Sequence, residues 1–144
     1  MSGALIRLVQ ASLLLPSTAL FIGLLTYHLQ QGGLGLAWPL PAEPDGQIAI
    51  ELALACLPAF ALFLLAAASG MLKHRLVVLA AFGLCAAIAA YCAANLLASA
   101  YGNTWTAGEI FRGLFLAQLP QLGLASVPGL ALTALLERLN HPRP

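Results

Sequence analysis

A chain of 144 residues that is 61% hydrophobic and only 8% charged, with a mean hydropathy of +0.92, falls in the membrane class. Soluble domains carry roughly 25% charged residues. A net charge of +1 leaves no basic surface for nucleic acid, and the length accommodates one small bundle over 1–144 with no separate soluble domain.

The first apolar run covers about 8–29, after a short start containing Arg7. One basic residue ahead of an apolar run also fits a signal peptide. This run, however, exceeds the usual h-region and has no clear A-x-A site, so the sequence predicts a retained helix. Pro16 should bend it about a third of the way across, with the Ser17 and Thr18 hydroxyls able to bond backbone groups that the proline frees. Tyr27 and His28 close its far end.

The stretch from Gln31 to Gln47 contains Pro39, Pro41 and Pro44 with several glycines, and reads as an irregular surface loop. Trp38 is expected at the headgroup level, and Asp45 can cap the next helix. That helix covers 48–70, with Glu51 one turn in and Pro58 near its middle. Lys73, His74 and Arg75 then form a short basic turn that makes the second and third helices antiparallel neighbours.

The third run, 76–100, carries no charge. Ala86, Ala90, Ala94 and Ala98 recur at i+4 as one smooth face, and Gly83 and Ala87 form a second small pair beside it. Helices in lipid associate through such faces by close backbone approach, which makes this the expected central helix. A fourth helix is expected over 107–136. It opens on a T-x-x-E capping box, Thr106 to Glu109, is interrupted by Pro120 and Pro128, and ends in a polar tail over 137–144. Arg7-Leu8-Val9 and Arg75-Leu76-Val77 open the two hairpins alike, but the spacings do not hold register, and chance similarity explains the echo.

The fold class is therefore all-α integral membrane, a four-transmembrane-helix bundle. Arg7, Lys73, Arg75, Arg138 and Arg143 fall on one side and Arg112 on the other, which places both the N and C termini in the cytoplasm of a bacterial-type plasma membrane. Cys56, Cys85 and Cys92 lie inside apolar runs with no C-x-x-C spacing and read as small core residues.

Sorted by depth, the polar side chains fall mostly in the outer half: His28, Glu51, Tyr91, Asn95, Gln118 and Gln121. Glu51 reads as the one carboxylate inside an apolar segment. It has two readings: an intramembrane acid partnered by His28, or a first-turn residue with its head in the interface. Gln118 and Gln121, three apart around Pro120, could bind a quinone or lipid headgroup. Equally, they could bond a neighbouring helix or the carbonyls the proline frees.

The histidines fall at or beyond helix ends, against a bis-histidine haem. No acid or histidine chain lies near the midplane, and there is no metal cluster, phosphate loop or Ser/His/Asp set. A lipid-directed enzyme would need Tyr91 or Cys92 beside His28. The expected role is a non-catalytic accessory or assembly subunit of a larger membrane complex, without cofactor or metal, whose partners are lipids and other integral membrane subunits. The alternative is a small-ligand protein, a transporter or a quinone- or lipid-binding module, built on the outer polar cluster.

Overall fold

The computed structural model describes residues 3–38, 48–98 and 105–140. Expectations for the Asp45 cap, the loop prolines, residues 99–100 and Arg143 lie outside these. The described residues form helices and no strand. They are α1 (Gly3–Ser12), α2 (Leu14–Gln31), α3 (Ile48–Ala68), α4 (Arg75–Leu97), α5 (Ala107–Glu109), a π turn (Ile110–Phe115), a 3-10 turn (Leu116–Gln118) and α6 (Leu119–Asn140). Joined end to end they make four helices long and apolar enough to cross a membrane: Gly3–Gln31, Ile48–Ala68, Arg75–Leu96 and Ala107–Asn140.

The first helix is longer than the 8–29 expected, and its break lies at Leu13, one residue beyond α1. The ring of Pro16 crowds the carbonyl four residues back, that of Ser12, so distortion falls on the turn before the proline. There the Leu13 N–H is shared between the carbonyls of Val9 and Gln10, at 3.1 and 3.2 Å. The hydroxyls of Ser17 and Thr18 bond the carbonyls of Leu13 and Leu14, at 2.9 and 2.7 Å, and so are satisfied within their own helix.

The helix expected to be central is not the most enclosed. Of the first helix 56% is buried, against 39% for the third. α2 and α4 each pack on the other and on α3 and α6, but they play different parts. Phe21, Ile22, Leu24 and Leu25 on α2 join Ile48, Leu52, Ile110 and Leu114 as the bulky members of one core cluster, while α4 contributes Ala90, Ala93 and Ala94, with Ala98 just beyond its end. The alanine-rich face is the socket, and it is closed because larger side chains fill it. All four expected alanines, Ala86, Ala90, Ala94 and Ala98, are buried. Gly83 and Ala87 are only half-buried, and a Cβ at Gly83 would meet nothing within 4 Å, so within the described residues nothing packs closely on Gly83.

A second cluster lies towards the chain termini, where Phe63 of α3 and Phe82 of α4 meet edge to face at 6.4 Å. α6 presses closest here. A Cβ at Gly129 would lie 2.5 Å from Ser17 Oγ and 2.7 Å from Phe82 Cζ. α3 ends as its sequence indicates: the N–H groups of Gly70 and Met71 bond the carbonyls of Ala67 and Ala66, both at 3.3 Å, with Gly70 at φ 79°. This turn leads straight into α4, its antiparallel neighbour.

Two segments depart from simple expectation. The fourth helix begins with the capping box, Thr106 N–H to Glu109 Oε2 at 3.0 Å and Glu109 N–H to Thr106 Oγ1 at 3.3 Å. It then winds as a π turn and a 3-10 turn before α6 restarts at Leu119, next to Pro120, and continues to Asn140, past the 136 expected. A proline cannot complete the preceding turn, and the chain rewinds ahead of it. After α2, residues 32–38 turn back along it. Gly35 faces the Tyr27 ring, so close that a Cβ would sit 2.7 Å from it, and the Ala37 N–H donates to the Gly23 carbonyl at 3.0 Å. Leu34, Leu36 and Trp38 alternate outward at 72%, 62% and 52% exposure. Trp38 thus lines one pocket with Pro16, Ala19 and Leu20 of the first helix.

Candidate functional site

The six outer polar residues do not assemble into one site. Asn95 is exposed, and its side chain donates to the Tyr91 carbonyl of its own helix at 2.9 Å. The Tyr91 ring sits edge-on to Phe111 and Phe115, at 5.8 and 5.5 Å, as an aromatic contact between α4 and the π turn. Glu51 is half-buried in the first turn of α3. Among the described residues no hydrogen bond joins the side chain of one of the six to that of another, so of the two readings of Glu51 the pairing with His28 is not made.

Three of the six nevertheless hold buried polar atoms without a partner: His28 Nδ1, Gln118 Oε1 and Gln121 Oε1. Gln118, 5% exposed, turns its amide N–H towards the Gly113 carbonyl at 3.5 Å. That carbonyl belongs to the π turn, whose winding spoils the regular i to i−4 ladder.

The connected polar site lies at the opposite end, where the first and last helices meet the α3–α4 turn. Glu137, assigned by sequence to a polar tail, is in α6 and 2% exposed, which makes it the most buried carboxylate among the described residues and overturns that role for Glu51. Arg7 Nη1 donates to Glu137 Oε1 and, at 2.8 Å, to Gln10 Oε1. Arg7 Nη2 donates to the Leu72 carbonyl at 3.0 Å. Gln10 Nε2 completes the ring by donating to Glu137 Oε1 at 2.9 Å and to the Thr133 carbonyl at 3.4 Å. One buried carboxylate oxygen therefore ties α1 to α6, and the guanidinium reaches across to the turn.

A buried ion pair of this kind balances the cost of taking both charges out of water only when hydrogen bonds fill the remaining valences, as Gln10 does here. The pairing signal lies in spacing. Gln10 follows Arg7 by three residues and Glu137 follows Thr133 by four, so each pair shares a helix face. What sequence spacing does not supply is that the two faces meet across 130 residues. Glu137 Oε2 and Thr133 Oγ1, one turn apart, are buried without a partner beside this network.

Cys56 and Cys85 are buried and Cys92 half-buried, and all three are free thiols. No protein-family model, no curated protein and no solved structure matches the chain.

Proposed function

We propose that the chain is a multi-pass subunit of a bacterial-type plasma membrane, with both termini cytoplasmic, that acts without catalysis in the assembly of a larger membrane complex. The observation that carries this reading is the segment 32–38. Twelve residues separate Gln31 from Ala19, about 18 Å of helix, and Trp38 lies beside Ala19. Extended backbone at such depth needs protein or water to satisfy its polar groups, because hydrocarbon cannot. Its outward Leu34, Leu36 and Trp38 offer an apolar ridge for a neighbouring polypeptide to cover. The basic residues at the end where Arg7, Lys73 and Arg138 gather support the cytoplasmic placement.

A photo-crosslinking residue in place of Leu36, activated in native membranes, tests the reading. Crosslinks to a second protein are expected. Crosslinks to lipid alone, together with a stable monomer that purifies without a companion in mild detergent, would overturn it.

The second reading, a small-ligand site for a quinone in its reduced, hydroxyl-bearing form or for a lipid headgroup, is favoured by the three orphaned atoms of His28, Gln118 and Gln121. A ligand that donates hydrogen bonds to the two amide oxygens would satisfy them. Retention of a small molecule that is lost in the Gln118→Leu, Gln121→Leu double variant distinguishes this reading from the first.

A further inference from the structure

Beside the Arg7 network lies a cavity of about 660 Å³ between α1, α3, the α3–α4 turn and the end of α6. Its lining divides in two. Arg7, Lys73 and Asn140 supply polar groups, and Leu64, Ala68 and Leu72 supply an apolar wall. We propose that this cavity binds the phosphate of an anionic phospholipid from the same membrane face, with an acyl chain against the Leu64 and Ala68 wall.

Three properties of the site carry the inference. The first is preorganisation: Glu137 and Gln10 hold the Arg7 guanidinium in place, and the bonds to Glu137, Gln10 and Leu72 use both N–H groups of Nη1 and one of Nη2. The Nε–H and one Nη2 N–H are left over, and an immobilised arginine with spare donors is suited to a phosphate oxygen. The second is charge. Glu137 balances Arg7, so Lys73 leaves the lining one positive charge in excess, which matches one phosphodiester monoanion and disfavours a headgroup bearing its own ammonium. The third is amphipathicity. Free phosphate has no use for the leucine and alanine wall, whereas basic cavities between spanning helices at the cytoplasmic side suit anionic lipid.

The proposal rests on the membrane reading above but not on the existence of a protein partner, so its test stands apart from the crosslinking experiment. Full-length protein in mild detergent is offered phosphatidylglycerol or phosphatidylcholine in equal amounts, and bound lipid is counted by native mass spectrometry. One retained phosphatidylglycerol is expected, with little phosphatidylcholine. Lys73→Gln should lower that preference about fivefold, the effect of one cation near an anionic headgroup. Ala68→Trp, which fills the apolar side and leaves every charge in place, should expel the lipid. Equal retention of the two lipids overturns the proposal, as does unchanged retention in both variants. Displacement by millimolar inorganic phosphate assigns the site to free phosphate and overturns the lipid source. Lys73 and Ala68 are exposed, and neither replacement touches the buried pair.

Discussion

The two ends of the bundle treat polar residues in opposite ways. At the end that gathers α1, α6 and the α3–α4 turn, Arg7 and Gln10 of α1 meet Glu137 of α6 in one network, with only Glu137 Oε2 and the neighbouring Thr133 Oγ1 left over. At the far end, Asn95 bonds its own helix, Gln118 bonds the π turn just before it, and His28, Gln118 and Gln121 keep buried atoms unpaired. Polar groups in an apolar interior lock a fold when they meet across helices; those answered only locally contribute little to the fold and leave valences for something else. The first end therefore acts as a clasp between helices, and the second does not.

The largest effect should come from breaking the clasp. Glu137→Ala leaves the Arg7 guanidinium buried and uncompensated, and should cost about 3–5 kcal/mol in detergent-solubilised unfolding measurements. The double replacement Arg7→Met, Glu137→Leu should recover most of that loss, since removing both charges removes the desolvation cost with them. A single and a double variant of equal stability would mean that the pair holds nothing together.

Between the ends, α6 closes on α2 and α4 at Gly129. Gly129→Ala forces a Cβ to within 2.5 Å of Ser17 Oγ and 2.7 Å of Phe82 Cζ, and overpacking of this kind costs about 1–3 kcal/mol. Because Gly129 lies one turn from Thr133, the shift should also loosen the clasp, visible as faster hydrogen exchange in the α1 amides. A loss of stability without that change would show the two regions to be independent.

Much of the fold was legible in the sequence, because length and apolarity delimit the four helices and glycine, proline and the T-x-x-E box mark their ends. The Thr106 and Glu109 cap and the turn at Gly70 depend only on neighbours in the chain. What escaped was long-range. Glu137 looked like the start of a polar tail because an acid near a helix end has water within reach; only Arg7 arriving from α1 draws it inside. The four alanines read as one face of α4 are buried. Yet a smooth face does not say which helix fills it, and the bulk of Phe21 and Leu25 makes α2 the more enclosed. That Gly35 and Ala37, small enough to lie on α2, lead Trp38 back along that helix is likewise a long-range contact that the sequence does not show.

The capping box at the far end is a reciprocally satisfied polar pair, and it is local. Thr106→Ala removes the capping oxygen from the Glu109 N–H and should cost about 1 kcal/mol, read as fraying of the first turn before Gly113. The clasp, at the opposite end of the same spanning helix and held by α1, should not respond.

The smallest expected effect bears most directly on the contrast. Gln121→Leu exchanges an amide whose buried oxygen has no partner for an apolar group of similar volume. If the far end contributes nothing to holding the helices together, the variant should match the parent within about 0.5 kcal/mol, or exceed it, because an unsatisfied buried acceptor is removed. A loss of more than about 1 kcal/mol would mean that the amide is already answered in the folded protein and the far end is itself a clasp. The same measurement repeated in native membranes separates the two roles considered for that end. A variant neutral in detergent but destabilised in its own membrane has lost an occupant, since binding to the folded state alone adds stability that depends on the occupant being present.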